Sequence, residues 1–93
     1  MTVQIEHAVK NYEAWQATFD RDPARREQSG VRRYRVNRPV EDPLCVIVEL
    51  DFDARAEADA FITVMRGLWP KVEGTLIEGP RVRVLECMAE HEY

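Results

Sequence analysis

His7 is the residue best suited to acid–base chemistry in this chain. It is the only histidine inside a regularly patterned segment, since His91 lies in the C-terminal tail. A neutral imidazole can act as a general base or bond the oxygen of a ligand. The competing role for His7 is structural, with its ring packed on aromatics and one nitrogen bonded to nearby backbone. Glu6 and Glu49 form a second constellation, with Arg33, Arg35 and Arg83 on the strands beside them. Paired carboxylates run acid–base chemistry when burial drives their pKa values apart. Arginines this close instead hold both carboxylates ionised, which fits an interface salt network better than a catalytic dyad. A third group is Trp15, Phe19, Phe61, Met65 and Trp69. These side chains can wall a cavity for a flat ligand or simply fill a core. Trp69 beside Pro70 reads as a loop residue, a lid or a subunit contact.

The elements that position these residues follow from periodicity. Val3, Ile5, His7 and Val9 alternate with Gln4, Glu6 and Ala8, which is a strand with one apolar face. By that parity His7 faces the same way as Val3 and Ile5. Asn11 is an N-cap for a helix carrying Tyr12, Trp15 and Phe19 at helical spacing, and Pro23 can open a further helical turn before Gly30. Val31 to Arg38 is a second strand, with Tyr34 and Val36 opposite Arg33 and Arg35. Leu44 to Phe52 is the most β-like segment, and its apolar start suits a central strand. Asp53 caps a second helix, whose stripe is Ala58, Phe61, Ile62, Met65 and Leu68; Gly67 and Pro70 end it. The last strand falls within Leu76 to Cys87 and is interrupted at Gly79-Pro80.

The order β-α-β-β-α-β predicts an α+β, ferredoxin-like domain spanning 1–93, with a four-stranded antiparallel sheet in the order 4-1-3-2. Both helices then cover one face. The other face mixes Gln4, Glu6, Arg33, Arg35, Cys45, Ile47, Glu49, Arg83 and Leu85. That is too polar for a core and too apolar for free water, which predicts a second copy packed sheet on sheet.

This pattern resembles the dimeric α+β barrel superfamily, through Ile5-Glu6-His7-Ala8-Val9-Lys10-Asn11-Tyr12-Glu13-Ala14-Trp15 and through Phe52-Asp53 followed by Glu57-Ala58-Asp59-Ala60-Phe61. Within it the chain is most similar to the antibiotic-biosynthesis-monooxygenase-like proteins. The resemblance implies a homodimer with a pocket between each sheet and its helices. Such pockets host cofactor-independent oxygenation or isomerisation of small cyclic compounds, and Tyr34 and Trp69 would be polar and aromatic walls. Haem-degrading members carry a histidine on the second helix. Ala54 to Gly67 has none, so no haem ligand is carried over and no cofactor or metal is expected. His7 is the catalytic candidate; Trp15, Tyr34, Phe61, Met65 and Trp69 are the ligand-binding candidates. A non-catalytic binding or structural dimer is the alternative.

Composition excludes other classes. Thirteen basic against seventeen acidic residues give a net charge of −4, the wrong sign for nucleic-acid binding. No phosphate loop, zinc spacing or G-x-S-x-G elbow is present. The longest apolar run is far below the ~20 residues of a membrane span. The start lacks the basic and apolar regions of a signal peptide. With only Cys45 and Cys87, on strands separated by a third and therefore at least ~9–10 Å apart, the thiols are expected to be free and the setting cytoplasmic.

Overall fold

The computed structural model describes residues 1–93. Strand β1 (Thr2–Val9) is followed by helix α1 (Tyr12–Asp20), strands β2 (Val31–Asn37) and β3 (Cys45–Phe52), helix α2 (Arg55–Val72) and strand β4 (Ile77–Leu85). The four strands form one sheet in the order β2-β3-β1-β4, all neighbours antiparallel. This is the order that two crossovers of like hand give. The central strands β1 and β3 alternate buried and partly exposed residues almost throughout. Val3, Ile5, Val46, Val48, Leu50 and Phe52 form one apolar cluster with Trp15, Ala58, Phe61 and Trp69 of the helices. No helix is long and apolar enough to cross a membrane.

Two register shifts reconcile the edge strands with that core. Ile77 and Val82 are an odd number of residues apart, so in a regular strand they would face opposite ways. Glu6 pairs Arg81 while Ala8 pairs Glu78, so β4 carries one extra residue opposite His7. The bulge falls at Gly79-Pro80, where Gly79 has φ +60°, a conformation that favours glycine. It lets both Ile77 and Val82 face the helices, and β4 continues through what the sequence marks as an interruption. A second shift between Val31 and Arg33 lets Val31 join the core on the same side as Tyr34 and Val36.

Helix α1 starts as expected, with Asn11 Oδ1 accepting from Ala14 N at 2.9 Å. The helical turn expected after Pro23 does not form. Asp22 and Arg25 take left-handed φ values of 57° and 49°, and turns occupy the connection instead. Gly30, at φ +100°, ends that connection against α2, where a Cβ would sit 2.5 Å from Glu57 Oε2. Helix α2 also departs from the expected bounds. Its N-cap is Ala54 rather than Asp53, because the Asp53 carboxylate is held by Arg32 at 2.6 Å. Glu57 Oε1 accepts from the freed Ala54 N–H at 3.3 Å. At the other end α2 runs through Gly67 and Pro70 to Val72, 18 residues in all. Trp69 is therefore a helical residue, 6% exposed, and not a loop lid. A mid-helix proline costs ~3 kcal/mol and a glycine ~1. Burying an indole returns about 4–6 kcal/mol at 150–250 Å² and ~25 cal/mol/Å². Arg66, whose carbonyl loses its partner to Pro70, and Pro70 itself are exposed, so water can take that bond.

The face of the sheet away from the helices is a polar ladder. Arg81 meets Glu6 at 2.9 Å, Arg83 Nε donates to Gln4 Oε1 at 2.7 Å and Arg33 meets Asp51 at 2.8 Å. Arg35 lies 3.7 Å from Glu49. Arg81, one bulge-shifted register position away, is thus the partner of Glu6, and Arg83 serves Gln4. Asp51 is held below the usual carboxylate range, first by the Thr2 hydroxyl that donates to it at 2.6 Å and then by Arg33. Ile47, Cys45 and Leu85 lie half-buried among these groups.

Candidate functional site

Between the sheet and the two helices lies a cavity of about 250 Å³. Ile5, His7, Val48 and Leu50 from β1 and β3 make its floor. Trp15 and Phe19 come from α1, Phe61, Met65, Leu68 and Trp69 from α2, and Ile77 from the start of β4. Its walls are mostly apolar; the polar side chains that reach it are His7, Thr18, Arg26 and Lys71.

His7 is placed by strand parity, facing the helices with Val3, Ile5 and Val9, and is 5% exposed. It is the one polar residue in the buried set. Its ring meets Trp15 edge-on at a centroid distance of 5.7 Å. Nδ1 lies 3.2 Å from the carbonyl of Ala8. A carbonyl only accepts, so Nδ1 carries the proton and donates. Burial pushes the imidazole pKa below its ordinary 6.5, and the bond to Ala8 opposes this more weakly. The ring is therefore neutral at pH 7, and Nε2 keeps its lone pair. No buried side-chain nitrogen or oxygen is left without a partner. Nε2 has no partner within the protein, so it is not sealed and meets the cavity that His7 lines. A neutral acceptor in an apolar surround can bond a ligand's hydroxyl or accept its proton.

Rings line the α1 side in sequence. Tyr12 and Trp15 lie 5.9 Å apart, Trp15 stacks on Phe19 at 5.0 Å, and Phe19 meets Tyr34 edge-on at 5.2 Å. Of the residues expected at the site, His7, Trp15, Phe61, Met65 and Trp69 line the one cavity. Tyr34 does not. It lies on edge strand β2, 46% exposed, and Phe19 stands between its ring and the cavity. It lines a separate polar groove with Asp22, Arg26, Glu27, Arg32 and Arg33.

Sequence reasoning did not find Arg26 or Lys71. The Arg26 guanidinium sits 3.9 Å over the Phe19 ring, donates to the Phe19 carbonyl at 2.8 Å and pairs with Asp22 at 3.5 Å. It reaches the cavity because the 21–30 connection folds back, which no periodicity signals. Lys71 would follow from the stripe Leu68–Val72, but only once the helix is carried past Pro70. The thiols do not enter this site. Both are free; Cys45 is on the opposite face, and burial, then Glu6 and Asp42, push its pKa up and keep it protonated. No group of three or more histidine, cysteine or acidic side chains could hold a metal ion, and α2 contains no histidine over its full length.

No family model and no curated protein matches the chain. Solved structures do. A protein from Nitrosomonas europaea, provisionally assigned as an antibiotic biosynthesis monooxygenase, superposes with a TM-score of 0.59 at 19% identity, over 96% of this chain and 100% of its own. A dimeric ferredoxin-like protein from an uncultured marine organism superposes with a TM-score of 0.55 at 14% identity, over 92% of this chain and 96% of its own. The fold is ferredoxin-like. The chain shares it with an antibiotic biosynthesis monooxygenase-like protein, as the β-α-β-β-α-β reading anticipates.

Proposed function

We propose that the chain forms a homodimer, sheet against sheet, and that each protomer holds a small cyclic or aromatic molecule in its helix-side cavity with His7 Nε2 as proton acceptor. The observation that carries this reading is His7: a buried, neutral imidazole with one nitrogen fixed to Ala8 and the other open to an apolar, ring-lined cavity. Taking the proton of a ring hydroxyl leaves an electron-rich oxyanion, the activation that a cofactor-free reaction with dioxygen requires. Such a step balances without an added reductant: a phenol and one dioxygen give a quinone and one water. The alternative is a binder without chemistry. What favours it is that no carboxylate lines the cavity to act with His7.

The dimer is supported by Ile47, Cys45 and Leu85, half-buried within one protomer's outer sheet face and bordered by arginines, and by the dimeric state of one structural neighbour. Sedimentation at micromolar concentration should give a dimer, and Ile47→Lys should shift it toward monomer; a monomeric wild type overturns this part. Ligand binding is tested by tryptophan fluorescence with small phenols. Met65→Trp, which fills the cavity, should abolish binding. His7→Ala should weaken it about two- to tenfold, the worth of one hydrogen bond. If both variants remain folded and bind as the wild type does, the site is elsewhere. Oxygen uptake with a bound phenol separates enzyme from binder.

A further inference from the structure

We infer that the cavity is shaped for an aromatic of one or two rings that carries a hydroxyl and an anionic group, the hydroxyl bonded to His7 Nε2 and the anion facing Lys71. This rests on the reading above that the cavity holds a small cyclic molecule, and names the class.

Size gives the first constraint. An apolar cavity of about 150 Å³ holds a benzene molecule. The present one, about 250 Å³, is roughly 1.7 times that volume, which matches a substituted single ring or a naphthalene skeleton better than three fused rings. Charge gives the second. The chain is acidic overall, at −4, yet no carboxylate lines the cavity while two cations do. Arg26 is already partnered by Asp22 and by the Phe19 carbonyl. Lys71 takes part in none of the ion pairs of the structure. It lies in the last turn of α2, borders the cavity and is exposed, so its ammonium is solvated and free of an ion-pair partner. The third constraint is the polarity of the floor. Nδ1 of His7 is the donor to Ala8, so Nε2 accepts, and the matching ligand group must be a donor. An anion could not serve there, because a neutral acceptor in an apolar surround repels a carboxylate. Donor at the floor and anion at the rim are thus distinct demands, met by a hydroxy-arene acid and by neither a simple hydrocarbon nor a simple acid.

Calorimetric titration of the wild type with 2-naphthol, 2-naphthoate and 6-hydroxy-2-naphthoate tests this, with a hydroxyanthracene carboxylate as the oversized probe. The hydroxynaphthoate should bind about three- to fivefold tighter than 2-naphthol, the reach of one exposed ion pair. That preference should shrink as salt rises, vanish in Lys71→Ala and survive in Lys71→Arg. The tricyclic acid should not bind. Equal binding of 2-naphthol and the hydroxynaphthoate, or a preference that survives Lys71→Ala, overturns the anion assignment while leaving a cyclic-ligand cavity intact. Tight binding of the tricyclic acid overturns the size limit. If no one- or two-ring compound binds at all, the reading of the cavity as a ligand site falls with it.

Discussion

Replacing His7 with phenylalanine should remove a pH dependence of stability that the wild type carries. His7 is 5% exposed and its pKa is lowered by burial, so the unfolded chain binds a proton before the folded one does. Stability from this group is therefore fully present above about pH 6.5, the unfolded value, and is lost as pH falls toward the lower folded value. At pH 5.5 the unfolded histidine is about 90% protonated, and the loss cannot exceed RT ln 11, about 1.4 kcal/mol. Asp51, whose pKa is lowered from a carboxylate value of 3.8, contributes its own loss only at still lower pH. His91 is common to both proteins and cancels. Urea unfolding at pH 7.5 and 5.5, at one chain concentration because the stability of the proposed dimer would depend on it, should show the wild type losing up to about 1.4 kcal/mol more than His7→Phe over that interval. A difference below about 0.3 kcal/mol would refute the claim that burial holds this imidazole neutral, and with it the assignment of Nε2 as an acceptor.

Two further substitutions probe the elements that build the site. Trp69→Ala should destabilise the protein by about 3–5 kcal/mol in denaturant unfolding, since the indole is buried in the core cluster; a cost under ~1 kcal/mol, the range of an exposed loop residue, would restore the loop reading. Gly79→Ala should cost about 1–2 kcal/mol from the left-handed backbone alone, because a Cβ there meets nothing within 4 Å. A neutral result would mean that β4 relaxes its bulge without penalty.

Much of the fold is legible in the sequence. Strict alternation in Val3–Val9 and Leu44–Phe52 identified the central strands, and the same parity put His7 on the helix side, because a two-residue period leaves no freedom once one face is apolar. Asn11 announced α1 through a local bond to Ala14. Element order then limited the sheet to 4-1-3-2, and the apolar stripes at helical spacing named Trp15, Phe19, Phe61 and Met65 as wall residues, with Trp69 added as a loop neighbour. These are short-range properties, readable from neighbours along the chain. What tertiary structure alone decided lies where long-range burial overrode a local rule. Pro70 and Gly67 say that a helix should stop; Trp69 packed on the sheet says that it should continue, and the larger energy wins. Gly79-Pro80 says that a strand should break; the need to bury both Ile77 and Val82 turns the break into a bulge. Asp53 is the better helix cap by type, yet Arg32, 21 residues away in sequence, claims its carboxylate. Lys71 reaches the cavity only because α2 runs on, Arg26 only because the 21–30 connection folds back, and Tyr34 misses it only because Phe19 arrives first. Each of these outcomes depends on distances between segments remote in sequence, and no pattern within a segment records such a distance.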